Sequence, residues 1–170
     1  TIAGDVNNVI EQQHPTKTGA TGGVSFLVLG DWGRNPTDDS EDGGKAQARV
    51  AAQMAAAAAT ADPPASFVLA LGDNFYWTGV ESVEDPRWAT TFEQVYADRG
   101  ALAVPFFAIA GNHDACGNVS AQVAYSARGG GGDGGASGRW RMPARSYEQF
   151  VDIGGSANAT LHLLFLDTNI

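Results

Sequence analysis

Three short apolar runs, each closed by glycine and followed at once by polar residues, limit what this chain can fold into. They are VSFLVLG at 24–30, SFVLALG at 66–72 and VPFFAIAG at 104–111. Continuous runs of this length and composition are the pattern of strands buried on both faces of a parallel sheet. Between the first two lies KAQARVAAQMAAAAAT (45–60), dominated by alanine and free of Gly and Pro, which predicts a helix. Asp62-Pro63-Pro64 stops it. Between the second and third runs, Asp85-Pro86 reads as an N-cap with proline at the first helical position, and Gly100 sits beyond the far end, so 86–98 is a second helix. The order βαβαβ implies an α/β fold with parallel strands and crossover helices.

The remainder is organised around that unit. Residues 1–23 are polar and interrupted by Pro15, Gly19, Gly22 and Gly23, an irregular tail ahead of a domain running from 24 to 170. After the third run, 119–128 reads as a short helix and GGGGDGGASG (129–138) as a flexible loop. SYEQFVDI (146–153) and TLHLLFLDT (160–168) read as two closing strands. At 170 residues and 44% hydrophobic, the chain holds one domain's worth of core. No segment approaches the roughly 18 consecutive apolar residues that span a bilayer. A net charge of −9 disfavours nucleic acid or an anionic membrane as partner. An anionic substrate would then need a local positive charge, which a bound metal can supply. The single cysteine, Cys116, excludes an internal disulfide, and two sequons begin at Asn118 and Asn158.

The polar clusters after the runs are Gly30-Asp31-Trp32-Gly33, Gly72-Asp73-Asn74-Phe75-Tyr76 and Gly111-Asn112-His113-Asp114. One such cluster is ordinary turn and N-cap chemistry. Three at successive strand ends converge on the edge where open α/β sheets bind ligands, and make one site. Asp31 and Asp73 are hard oxygen donors, and a carboxylate such as Asp73 can bridge two cations. Asn112 offers a neutral carbonyl oxygen, and Tyr76, once deprotonated, is a phenolate that favours a trivalent ion. Two metals clamp the attacking and leaving oxygens of a phosphoryl displacement and acidify bound water. His113 stands beside a metal ligand, placed to contact phosphate or protonate a leaving alcohol.

GDWG, GDNFY and GNHD, in this order and about forty residues apart, resemble the metallophosphoesterases, and among them the purple acid phosphatases of the small, tartrate-resistant type. The likeness extends to ALGDNFYWTGV, GNHDACGNVSAQVAYS, RWRMP and FLDT, from about Val24 to Thr168. It implies Asp31 and Tyr76 on Fe(III), Asp73 bridging, Asn112 on a divalent Fe, Zn or Mn, and His113 facing the substrate. It also implies a secreted, lysosomal or vacuolar glycoprotein, carrying glycans at Asn118 and Asn158, that hydrolyses small phosphomonoesters or phosphoproteins at acid pH.

Part of the family pattern is absent. Three further histidines, one in Val-x-x-His and two in Gly-His-x-His, complete the family's site, whereas the sequence offers only His14, His113 and His162. His14 reads as a solvated tail residue and His162 as a sheet histidine. The expectation is therefore a C-terminally truncated half of an α/β/β/α sandwich, with the missing half supplying three His ligands and with apolar sheet surface and a strand edge left open. Two functions follow: a binuclear acid phosphatase attacking with metal-bound hydroxide, or a non-catalytic remnant that binds a metal or a partner.

Overall fold

The computed structural model describes residues 23–34, 43–97, 100–128, 137–154 and 159–169. The tail read at 1–23 with His14, most of the glycine loop at 129–138, and Asn158 lie outside these residues.

A parallel sheet forms the middle of the structure. Its strands are β1 (Ser25–Leu29), β2 (Ala65–Ala70), β3 (Phe106–Ala108) and β4 (Trp140–Arg141), paired in the order β1-β2-β3-β4. The pairing is parallel throughout, with Leu27 opposite Val68, Val68 opposite Phe106 and Phe106 opposite Trp140. The helix α1 (Gly43–Thr60) makes the first crossover. The second differs from the expected α-helix over 86–98: Trp88–Glu93 is a π-helical segment that passes into a single α-turn, α2 (Gln94–Ala97). Its N-cap is Arg87 rather than Asp85, which sits two residues ahead and accepts from the Arg87 N–H through Oδ1 at 2.9 Å. The wider turn faces Trp88, Thr91, Phe92 and Glu93 to the core together.

Side chains alternate between the two faces of the sheet, so β2 sends Val68 and Ala70 one way and Phe67 the other. The first face packs on α1 through Ala51, Met54 and Ala58, and on an aromatic group of Trp32, Phe75, Trp88, Phe92 and Trp140. Behind these, Arg139 is stapled to Glu93 at 2.8 Å, both nearly buried, and Tyr125 donates to the same carboxylate at 3.1 Å. The second face meets an antiparallel hairpin of β5 (Tyr147–Gly154) and β6 (Ala159–Phe165), the two closing strands read from the sequence. Phe67, Phe107 and Phe165 form that contact, and the Tyr147 hydroxyl pins it by donating to the Ala108 carbonyl at 2.9 Å. The described residues thus make three layers: helices, a parallel sheet and a hairpin.

Two further readings change. The first run is not buried on both faces: β1 is an edge strand, and Phe26 and Val28 are exposed. A fourth parallel strand, Trp140–Arg141, lies within a stretch to which the sequence analysis assigned no element. His162 is a sheet-surface residue, as expected, paired with Glu148 at 2.9 Å and stacked on Phe150.

Burial pushes the Tyr125 and Tyr147 phenols well above the ordinary tyrosine value, reinforced at Tyr125 by the Glu93 charge. The folded state therefore keeps protons that the unfolded chain would release. Stability should be fully present below about pH 10 and fall as pH rises above it. Urea midpoints at pH 9 and pH 11 check this: the midpoint at pH 11 should be lower, and Tyr147→Phe should reduce the difference.

Candidate metal and phosphate site

The turns after β1, β2 and β3 lie side by side, because the strands are parallel and adjacent. Backbone bonds stitch the first two: Asp31 N donates to Gly72 O at 3.1 Å, Trp32 N to Asp73 O at 3.2 Å, and Tyr76 N to Gly33 O at 2.8 Å. Such close approach requires glycine at 33, where an added Cβ would overlap the Asn74 carbonyl. Gly111 is similarly pressed against Asp73, and a Cβ there would collide with the Asp73 amide and carboxylate.

The third turn is tied to the second by Asp114, which is wholly buried. Its Oδ2 accepts from Asn74 N and Gly111 N, each at 2.9 Å, and its Oδ1 from Phe75 N at 3.2 Å and Gln122 Nε2 at 2.9 Å. Asn74, also fully buried, donates to Ile109 O at 2.8 Å and accepts from Trp32 Nε1 at 3.0 Å. Burial raises the Asp114 pKa, while the Asn74, Gly111 and Gln122 hydrogen bonds oppose the shift.

On this frame the candidate side chains come together. Tyr76 Oη donates to Asp31 Oδ1 at 2.9 Å and to Asp73 Oδ2 at 3.1 Å, so one phenol spans both carboxylates. Burial raises the Tyr76 pKa far above its ordinary value, and the bonds to Asp31 and Asp73 act in the same direction, so the phenol is neutral here. Asp31 and Asp73 both hold left-handed backbone, with φ of 55° and 49°. Each such residue costs about 1 kcal/mol or more. The other oxygen of Asp73 accepts from His113 N at 2.9 Å, which brings the third turn onto the same carboxylate.

The His113 ring lies 4.6 Å from the Tyr76 ring and 5.5 Å from that of Trp77, centroid to centroid. Its Nδ1 is 2.8 Å from the Trp77 carbonyl. A carbonyl only accepts, so Nδ1 carries the proton and Nε2 is the atom left for substrate. Asn112 is exposed at the start of the short helix Asn112–Ala115, and its side chain makes no hydrogen bond among the described residues. Asn118 is exposed as the N-cap of the helix Val119–Ser126: Oδ1 accepts from Ala121 N at 3.1 Å and Nδ2 donates to Glu81 O at 3.1 Å.

Among the described residues, no three or more His, Cys, Asp or Glu side chains are grouped closely enough to hold a metal ion. The donors gathered here are two carboxylates and a phenol, hard oxygen ligands whose like charges would repel a phosphate. With the phenol proton gone, they suit a highly charged cation, and the residues fit such a group. Asn74 and Asp114 belong to the clusters that the sequence analysis joined into one site, and Trp77 to the same stretch as Tyr76, but the sequence assigned none of the three a role. The bond that joins Asn74 to Asp114 spans 40 positions, which no local pattern signals.

The calcineurin-like phosphoesterase family matches residues 24–166. This chain belongs to that family. The phosphoesterase sequence is 40% identical over 154 residues to tartrate-resistant acid phosphatase type 5 of Homo sapiens, covering 88% of this chain and 42% of the human protein. To purple acid phosphatase 7 of Arabidopsis thaliana it is 38% identical over 122 residues, 72% of this chain and 34% of that protein. A solved structure described as GAP50, the anchor in the inner membrane complex of Plasmodium, superposes with a TM-score of 0.60 at 28% identity, over 84% of this chain and 41% of that one. The phosphoesterase chain thus spans about two fifths of the length of the mammalian relatives it matches.

Gly111→Ala should displace Asp73 and cost roughly 2 kcal/mol, and Asp114→Asn should cost roughly 3 kcal/mol by leaving buried N–H groups unpaired. Urea unfolding measures both. Losses within about 0.5 kcal/mol, the range of ordinary surface changes, would show that the turns do not depend on these contacts.

Proposed function

We propose that the chain carries part of an acid phosphatase that hydrolyses phosphate monoesters at a binuclear metal centre. The observation that carries the reading is Tyr76 lying between Asp31 and Asp73 at 2.9 and 3.1 Å, because a turn has no need of a phenol shared by two acids. Similarity to acid phosphatases supports the reaction class.

In this reading Asp31 and Tyr76 would hold Fe(III), Asp73 would be shared by both metals, and Asn112 would hold a divalent Fe, Zn or Mn. When bound, the cations supply Lewis acidity, acidifying water and neutralising phosphate charge. The remaining work belongs to the chain. His113, held on the Trp77 carbonyl by Nδ1, offers Nε2 to the phosphate or to the departing alcohol oxygen. Asp114 and Gly111 keep Asp73 aimed between the turns. The three histidines of the family pattern would come from elsewhere in the protein. The substrate is a small phosphomonoester or a phosphoprotein. A secreted or lysosomal location with glycans at Asn118 and Asn158 goes with the family likeness, and Asn118 is exposed at its helix start.

A second reading is a non-catalytic protein that binds a metal or a partner. The open apolar side chains of Phe26, Val28, Phe150 and Leu164 favour it, as does likeness to a protein described as an anchor.

The iron-loaded chain should be coloured by phenolate-to-iron charge transfer, and Tyr76→Phe should remove the band. An unchanged band would exclude Tyr76 as a ligand. An aryl phosphate assay at acid pH, run on protein that includes the segment supplying the three histidines, separates the two readings: the phosphatase requires turnover that His113→Ala lowers by about 10²–10⁴-fold, whereas the binding protein gives none.

A further inference from the structure

The chain has four tryptophans. Three are buried, and their indole N–H groups are bonded inside the protein: Trp32 donates to Asn74 Oδ1 at 3.0 Å, Trp88 to the Ser82 carbonyl at 3.1 Å and Trp140 to the Gln122 carbonyl at 3.1 Å. Trp77 differs on both counts. It is 52% exposed, and among the described residues its N–H makes no hydrogen bond. The core therefore accounts for three of the indoles and leaves the fourth unexplained. Single exposed aromatics are ordinary on a surface, but this one stands at the site. Its ring lies 5.5 Å from that of His113 and 5.1 Å from that of Tyr76, centroid to centroid. What holds His113 is the Trp77 backbone carbonyl, a group every residue type carries, so the indole has no part in that bond. The guanidinium carbon of Arg34 lies 4.4 Å from the ring centre, a cation–π contact that steadies the ring, and Trp77 is still half open with that cover in place. Beside the imidazole offered to the phosphate or the departing oxygen there is thus a held aromatic surface open to solvent.

We infer that Trp77 is a specificity-determining residue against which the alcohol part of the substrate packs, so that the site selects phosphate esters of planar aromatic alcohols over those of small aliphatic ones. The inference rests on the proposed phosphatase reading and adds a substrate class to it. The phosphoryl group is left to the strand-end cluster. The group attached to the departing oxygen, which His113 Nε2 meets, then comes within reach of an indole whose ring is already in contact with the imidazole. An uncharged aromatic group brings nothing for Asp31 and Asp73 to repel. Aromatic rings whose centres lie roughly 4.5–7 Å apart also gain more than the area they bury. A small alkyl group covers little of the indole and gains little.

The test uses iron-loaded protein that includes the segment supplying the three histidines, at acid pH, with three non-hydrolysable probes: phenylphosphonate, cyclohexylphosphonate and methylphosphonate. Calorimetry gives the affinities. A change at 77 that disturbs His113 shifts all three probes together, so the ratios between probes isolate the indole. Wild type should bind phenylphosphonate about 10-fold more tightly than methylphosphonate and about 3-fold more tightly than cyclohexylphosphonate, because a puckered ring cannot lie flat on the indole. Trp77→Ala should abolish both preferences. Trp77→Leu, which keeps apolar bulk and serves if the alanine variant folds poorly, should abolish the preference for phenyl over cyclohexyl. Trp77→Phe should keep both preferences in part. A phenyl-over-cyclohexyl preference that survives undiminished in either Trp77→Ala or Trp77→Leu, or a wild type without it, overturns the inference while leaving the phosphatase reading standing. If no probe binds iron-loaded wild type, the phosphatase reading fails and the inference with it.

Discussion

The buried carboxylate of Asp114 is the contact on which the site depends. It gathers backbone N–H groups from the second and third strand-end turns and a side-chain amide from the helix Val119–Ser126. A buried acid is tolerable only when its oxygens are satisfied in this way, and once satisfied it sets the neighbouring turns rigidly. The Trp32–Asn74 bond extends the same network to the first turn. The three strand-end clusters are therefore one polar unit resting on an aromatic core, and their side chains emerge from it in a fixed relation.

That rigidity is spent on local strain. Asp31 and Asp73 sit in left-handed backbone, and the turns touch so closely that Gly33 and Gly111 have no room for a side chain. Positions like these are kept only where the surroundings over-determine them. The result is a cradle in which two acids face one phenol. In the proposed reading the phenol, neutral without a cation, would lose its proton to hold a trivalent ion. Charge balance points the same way, because two carboxylates in an acidic protein make a poor seat for phosphate on their own.

Much of this was legible in the sequence. The three strands were visible because an apolar run ending in glycine carries its own signal, and α1 because alanine dominates it. The residues that meet at the site, Asp31, Asp73, Tyr76 and His113, followed from strand ends lying on one edge. The parts that were not legible have physical reasons. Trp140–Arg141 is too short to show a period and exists as a strand only by pairing with Phe106. The π-helical segment depends on tertiary packing of Trp88 and Phe92, which no local propensity records. Asp114 received no role because the turn residues it ties, Asn74 and Phe75, lie 40 and 39 positions away. Nor could the run at 24–30 show that it would form an edge with Phe26 and Val28 open, since an apolar strand reads alike whether or not its second face is covered.

The central claim is that Asp31, Asp73 and Tyr76 form a single cation seat built by the junction of three turns. An anomalous difference map from crystals of the chain soaked in iron tests it most directly. The expected result is a peak in contact with oxygens of all three residues, with the hydrogen bonds from Tyr76 to both carboxylates replaced. Iron bound elsewhere, or Tyr76 still donating to Asp31 and Asp73 beside an empty seat, would contradict it.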